Sequence, residues 1–371
     1  MTIEALPPDP EPWLPPDEGP PFEPYPGLAG FHRQTLAGSF LRLEALRRHP
    51  PEEQREVALP TDGATTVLCS WQPEKGAPVL VMVHGMGGSA QSGYLRATAR
   101  RAWTAGMHVL RLNLRGAVGV ERLSRRGYHA GLVDDLRAAL ATWVEGRGLG
   151  PVLLAGFSLG GNVVLRLAAL DGPTIAAGVA AVSPAVDLTG CSEAIDGDRG
   201  VRHYRDHFVS SLSASLRRRE RRHPGSVDLD ALARVVTLRD FDAAFTAPDH
   251  GFADVDDYYQ RASAGPLLAD LAMPTLVIHA RDDRLVPAAG LLSSGASSNP
   301  WVRLALSDHG GHCAFIGASV PAEKGAETVR PERSGRNASL LPGFWAEQQL
   351  VSFLGAVARR AAAAEPSAGR R

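Results

Sequence analysis

The run Gly156-Phe157-Ser158-Leu159-Gly160-Gly161 carries the plainest chemical meaning in this chain. It follows the apolar stretch Val152–Ala155 and precedes a helical pattern. Gly-x-Ser-x-Gly in a strand–turn–helix context predicts a sharp bend that exposes the serine hydroxyl as a nucleophile. Without that context the motif would be a glycine-rich turn with an incidental serine. A hydroxyl at neutral pH is a weak nucleophile, so a base must accept its proton. Asp308-His309-Gly310-Gly311-His312 supplies two candidates late in the chain. His312 is preferred because two glycines let its loop close over the serine. His309 remains the competitor, with a loop-capping or solvent-facing ring as its bland reading. The imidazole in turn needs a carboxylate to hold its tautomer. Asp282 and Asp283 follow the apolar run Thr275–His279 at its carboxyl end, and the carboxyl ends of strands are where open α/β sheets place their sites. Asp283, just before Leu285-Val286-Pro287, is preferred, and Asp282 is read as a turn former or a partner of Arg281. The charge of a tetrahedral intermediate would need two backbone donors. These are predicted at Leu159, directly after the nucleophile, and at Met86 in the loop His84-Gly85-Met86-Gly87-Gly88-Ser89. His84 reads as a brace for that loop rather than a second base.

Other constellations are weaker. His203 and His207 stand four apart but lack a third ligand at a known spacing, so no metal is expected, and the serine–histidine–aspartate chemistry needs no organic cofactor. Arg217-Arg218-Arg219-Glu220-Arg221-Arg222 reads first as a solvated helix face, with transient contact to anionic lipid as the sharper alternative. The chain has 371 residues, 39 basic and 40 acidic side chains and a formal charge of -1, which gives no general pull toward nucleic acid. Its three cysteines, Cys69, Cys191 and Cys313, form neither a disulfide framework nor a metal knuckle. With no signal-like start and no apolar run long enough to span a bilayer, a cytoplasmic location is the expectation.

Those side chains must be positioned by something, and the apolar pattern says what. Strands are predicted at Thr65–Trp71, Val79–Val83, His108–Leu112, Val152–Ala155, Gly178–Val182, Thr275–His279 and Val302–Leu306. Helices are predicted at Tyr94–Ala105, Leu132–Glu145 and Asn162–Leu170. Continuously apolar strands alternating with helices indicate an α/β protein with a mostly parallel central sheet flanked by helices. The alternation stops within 187–265, which reads as an inserted helical cap. The expected organisation is a disordered proline-rich arm over 1–26, core over 27–186, cap over 187–265, core over 266–360 and a disordered tail over 361–371. An irregular loop is expected near 318–341.

Taken together, these motifs resemble the YheT-like esterases, a branch of the α/β-hydrolase-domain proteins that includes lipid-acting eukaryotic members. The resemblance runs from about Phe22 to Leu354. It includes Phe31-His32-Arg33-Gln34-Thr35, His84–Ser89, Asn113-Leu114-Arg115-Gly116, Tyr128-His129-Ala130-Gly131 with Asp134-Asp135, Phe241-Asp242, His250-Gly251-Phe252, Asp257-Tyr258-Tyr259, His279–Asp283 and Gly310-Gly311-His312. Arg284 departs from it, standing where the family commonly has proline. The resemblance implies an α/β-hydrolase fold and hydrolysis of carboxylic esters, short-chain or acylglycerol-type, with Ser158, Asp283 and His312 as the triad positions. His84, Gly85, Tyr128 and His129 are candidates for lining the substrate's path. An acyltransferase using the same triad, and a non-catalytic binding protein on the same scaffold, are the alternatives.

Overall fold

The computed structural model describes residues 14–15, 21–41, 50–318 and 342–364. Eight strands make the main sheet: β1 (Glu53–Ala58), β2 (Ala64–Ser70), β3 (Val79–Val83), β4 (His108–Leu112), β5 (Val152–Phe157), β6 (Gly178–Val182), β7 (Thr275–Ala280) and β8 (Val302–Ser307). Their order is β1-β2-β4-β3-β5-β6-β7-β8. The first two pairings, β1 with β2 and β2 with β4, are antiparallel, and all later ones are parallel. The chain thus adopts the mostly parallel α/β architecture expected of it.

Strand side chains alternate between the two faces. Val79, Val81 and Val83 enter one core with Leu154 and Leu136. Leu80 and Met82 enter the other with Leu153, Ala155 and Phe157. The first core is closed by α3 (Asp134–Trp143) and α4 (Leu159–Asp171), the second by α2 (Gly93–Thr104) and α12 (Trp345–Ala364). Neither α12 nor β1 was assigned from the sequence. The helix buries Leu350, Phe353, Leu354 and Val357, a stripe of helical period. β1 lies at the edge, where Val57 is its fully buried residue and its charged side chains face water, as edge strands require.

Two expectations about the ends need adjustment. Residues 21–26 do not dangle: Tyr25 N–H donates to the Ile316 carbonyl, and the Phe22 ring packs on Phe315 and Trp345. Residues 361–364 complete the last turn of α12. The expected loop falls almost wholly on 319–341, outside the described residues, between β9 (Ile316–Ala318) and β10 (Pro342–Phe344).

Between β6 and β7 the chain makes only helices: α5 (Leu188–Gly197), α6 (Arg202–Arg222), α7 (Leu229–Ala233), α8 (Leu238–Phe241), α9 (Ala247–Asp249) and α10 (Val255–Ala262), with a π turn at Asp242–Thr246. A short α1 (Phe31–Leu41) precedes the sheet and α11 (Ala288–Leu292) follows β7. Asn162 of α4 ties the helical insertion down. Its amide donates to the carbonyls of Ala130 and Ala262 and accepts from Ala264 N–H. No helix among the described residues is long and apolar enough to cross a membrane.

A buried ion pair fixes the loop after β4. Asp135, at the start of α3, accepts from the Arg115 backbone N–H at 2.8 Å and from its guanidinium at 2.6 and 2.9 Å. Both side chains are at most 2% exposed. Removing one partner of such a pair strands the other charge in the core. Asp135→Ala should therefore cost about 3–5 kcal/mol, read as a lower urea midpoint. An unchanged midpoint would mean that Arg115 finds water or another partner.

Candidate active site

Ser158 occupies the bend between β5 and α4 with φ 53° and ψ -121°. Few side chains accept that backbone region, and holding one there costs about 1–3 kcal/mol. The flanking glycines make the bend possible. A Cβ on Gly156 would lie 2.1 Å from the Gly160 carbonyl oxygen, and one on Gly160 would lie 2.4 Å from the carbonyl oxygens of Val83 and His84. The serine is anchored through its backbone, N–H to the Val182 carbonyl and carbonyl to Asn162 N–H.

The structure brings His312 and Asp283 to it. Ser158 Oγ lies 2.9 Å from His312 Nε2, and His312 Nδ1 lies 2.8 Å from Asp283 Oδ2. The other oxygen of Asp283 accepts from the N–H groups of Leu285 and Val286 at 3.0 and 3.1 Å. Burial alone would raise the Asp283 pKa, but His312 and these donors hold it below the ordinary carboxylate value. Burial likewise opposes a charged imidazole, yet the Asp283 carboxylate keeps the His312 pKa well above the ordinary histidine value. A hydroxyl, an imidazole and a carboxylate in this row can pass a proton from oxygen to ring and stabilise the imidazolium that results.

The two residues weighed against this pair stand apart from the row. His309 is half exposed, with Nδ1 3.5 Å from Asp282 Oδ2. Asp282 braces the histidine loop rather than Arg281: its Oδ1 accepts from Gly311 N–H at 3.0 Å. Arg281 lies 3.5 Å from Asp308 instead.

The loop after β3 passes beside the serine. A Cβ on Gly85 would come within 3.2 Å of Ser158 Cβ. His84 is fully buried, and burial drives its pKa down to about 4, so the ring is neutral. Its Nε2 accepts from Leu114 N–H at 3.2 Å, which leaves the proton on Nδ1 to donate to the Gly85 carbonyl at 2.8 Å. In a trans peptide the next N–H points opposite that carbonyl. His84 therefore sets the direction of the Met86 N–H. Because Leu114 precedes Arg115, the buried Arg115–Asp135 pair reaches this donor through the ring. Gly85 N–H donates to Tyr94 Oη and Gly87 N–H to Tyr128 Oη, which uses up the loop's other early donors.

A cavity partly open to solvent lies over Ser158 and His312. Met86, Tyr128, His129, Ala130 and Leu159 line it from the core, and Leu188, Ile195, Phe208, Leu212, Leu238, Phe241, Asp242, Tyr258 and Tyr259 line it from the insertion. That mostly apolar lining suits a small organic ligand. Of the residues expected along the substrate's path, Tyr128 and His129 reach this lining, whereas His84 and Gly85 lie behind the loop and shape it. His129 is held neutral by burial and by its neighbour His250, 4.4 Å away between ring centres.

His203 and His207 sit on α6. His203 packs its ring on Tyr204 and His32, and no group of three or more potential metal-binding side chains exists among the described residues. The basic run at the end of α6 is partly internal. Arg219 is buried and paired with Asp249, and Arg218 reaches Glu121.

α1 reaches the histidine loop. Thr35 Oγ1 accepts the backbone N–H of His312 at 3.0 Å. Gln34 is fully buried and grips Ile316 twice, Nε2 to its carbonyl at 2.9 Å and Oε1 from its N–H at 2.7 Å. A buried glutamine between apolar neighbours needs partners, but only the fold reveals that they belong to the histidine loop.

The α/β-hydrolase fold family matches residues 78–319. The chain is 32% identical over 305 residues to "Putative esterase YheT" of Escherichia coli (strain K12), covering 81% of this chain and 88% of that protein. It is 24% identical over 300 residues to "Phospholipase ABHD3" of Homo sapiens, covering 78% and 72%. Among solved structures, the Pyrococcus furiosus esterase Pf2001 aligns with a TM-score of 0.47 at 14% identity, over 71% of this chain and 84% of that one. The chain belongs to the α/β-hydrolase family, in its YheT-like branch.

Proposed function

We propose that this chain is a serine esterase that cleaves carboxylic esters, short-chain or acylglycerol-type, through an acyl-serine intermediate. The observation that carries the reading is the unbroken row from Ser158 Oγ through His312 to Asp283, with spacings of 2.9 and 2.8 Å, open to an apolar cavity. The names of the two relatives, an esterase and a phospholipase, agree with an ester substrate.

Ser158 Oγ attacks the ester carbonyl while His312 Nε2 takes its proton. The oxyanion is received by the N–H groups of Met86 and Leu159. The alcohol leaves with the proton from His312, and the acyl group stays on Ser158. Water then gives a proton to the same ring and attacks the acyl-serine, and the ring returns that proton to Ser158 Oγ as the acid leaves. The helical insertion acts as a cap that shields these steps from bulk water, which strengthens each electrostatic contact. The exposed Arg217, Arg221 and Arg222 on α6 suit transient contact with anionic lipid at the cap. The three cysteines are buried and not joined in disulfides, in keeping with a cytoplasmic location.

Ser158→Ala should lower turnover of a chromogenic ester roughly ten-thousandfold or more at an unchanged thermal midpoint. Turnover close to wild type would remove the serine from the mechanism. The row also sets a pH profile. Only the neutral imidazole can accept the serine proton, so kcat/KM rises as pH climbs through the His312 pKa. Asp283 lifts that pKa, so the half-maximal point should lie above about 6.5. Asp283→Asn deletes the charge, so it should slow turnover and move the acid limb to lower pH. An acid limb unmoved in that variant would contradict the coupling.

Thr35 acts through the His312 backbone and is a positioning residue. Thr35→Val keeps the side chain's shape but loses the acceptor. A small misplacement of a catalytic group costs up to about a hundredfold in rate. Turnover should fall about tenfold to a hundredfold with KM little changed, and Thr35→Ser should restore it. Equal kcat in the valine and serine variants would reduce α1 to a packing element.

A further inference from the structure

The cavity wall contains one charge that the proposed mechanism does not use. Asp242 begins the π turn of the helical insertion and lines the same cavity as Ser158. π turns concentrate at functional sites. Among the described residues, the carboxyl is hydrogen-bonded only to hydroxyl groups: Oδ1 accepts from Thr246 Oγ1 at 2.6 Å and Oδ2 from Tyr259 Oη at 2.9 Å. Thr246 and Tyr259 can each give a proton to the carboxyl, and Tyr259 Oη also lies 3.1 Å from Ser192 Oγ. No lysine or arginine lines the cavity, and Asp242 makes no ion pair among the described residues. The rings of Tyr128, Phe241, Tyr258 and Tyr259 line the same space.

A carboxylate facing a mostly apolar cavity without a cation is costly to keep. Burial accordingly lifts the Asp242 pKa to about 6, which still leaves it charged at pH 7.5. A cation brought by the ligand would pair with the carboxylate, and aromatic walls favour such a group through their π faces. A purely structural carboxyl, present only to hold Thr246 and Tyr259, would gain nothing from facing the cavity.

We propose that this cavity is a subsite for a cationic group with Asp242 as its counter-charge, so that the ester cleaved at Ser158 carries a protonated amine or quaternary ammonium. The proposal rests on the esterase reading for its reaction, but its binding half can be tested without turnover.

Calorimetry on Ser158→Ala would compare choline with 3,3-dimethylbutan-1-ol, a neutral molecule of the same shape. Choline should bind at least about tenfold tighter, and adding Asp242→Asn should remove that difference. Equal binding of the two probes, or a preference for choline that survives Asp242→Asn, overturns the subsite. Should Asp242→Asn fold poorly, the unmodified chain still decides through two pairs of esters. One pair is butyrylcholine and 3,3-dimethylbutyl butyrate. The other is the p-nitrophenyl esters of 5-(trimethylammonio)pentanoate and 6,6-dimethylheptanoate. At least one charged ester should exceed its neutral partner about tenfold in kcat/KM, and a charged preference in neither pair overturns the proposal. If choline binds selectively but no ester in either pair is turned over, the esterase reading fails and the cation subsite stands.

Discussion

The His312 ring lies between a serine 154 residues away and an aspartate 29 residues away, and its loop is shaped to hold it there. The surrounding backbone is strained: φ is 60° at Gly311, 59° at Cys313 and 46° at Phe315. The two non-glycine residues among these each cost about 1–3 kcal/mol and persist only when neighbours over-determine the path. Those neighbours are identifiable. Thr35 holds the His312 N–H, Asp282 the Gly311 N–H, Ser183 the Cys313 N–H and Gln34 both backbone groups of Ile316. The loop is therefore clamped from α1 on one side and from the ends of β6 and β7 on the other. This explains why a short helix far ahead of the sheet in sequence packs against the chemistry.

The sheet supplies the remaining order. Its parallel strands run in one direction, so the loops leaving β3, β5 and β7 emerge on one edge. Those loops carry Met86, Ser158 and Asp283. Register does the fine placement: Val83 lies opposite Gly156, and the close approach of Gly160 to the Val83 and His84 carbonyls brings the loop after β3 against the bend at Ser158. A side chain at Gly160 would push apart the nucleophile and its predicted oxyanion donors together.

What the sequence discloses follows from this division. Strands buried on both faces are written as short apolar runs, so β3, β4 and β6 were found residue for residue, and β5 and β7 to within two residues at one end. The serine, the aspartate and the histidine were legible because each sits in a local pattern that a tight turn or a strand end requires. β1 was not legible, since an edge strand with one fully buried residue has no apolar run. The roles of Gln34 and Thr35 were not legible either, because they depend on partners 282 and 277 residues away. The insertion reads as helical and polar, but which of its faces meets the serine is decided by packing, not by period.

Burial acts on His84, Asp283 and Asp242 alike, and their partners decide what becomes of each. His84 has only backbone partners, one donor and one acceptor, which a neutral ring satisfies in full, so burial wins and the ring stays uncharged. Asp283 meets a cationisable imidazole and two backbone N–H groups, enough to outweigh burial and keep it ionised. Asp242 falls between them. Two hydroxyls stabilise its charge less than an imidazolium would, and its pKa rests near 6. The same physical opposition thus yields a brace, an anchor for the histidine and a carboxylate without a counter-ion. The third differs from the others because no cation among the described residues pairs with it. In the proposed subsite that cation comes from the cavity, where a substrate would lie.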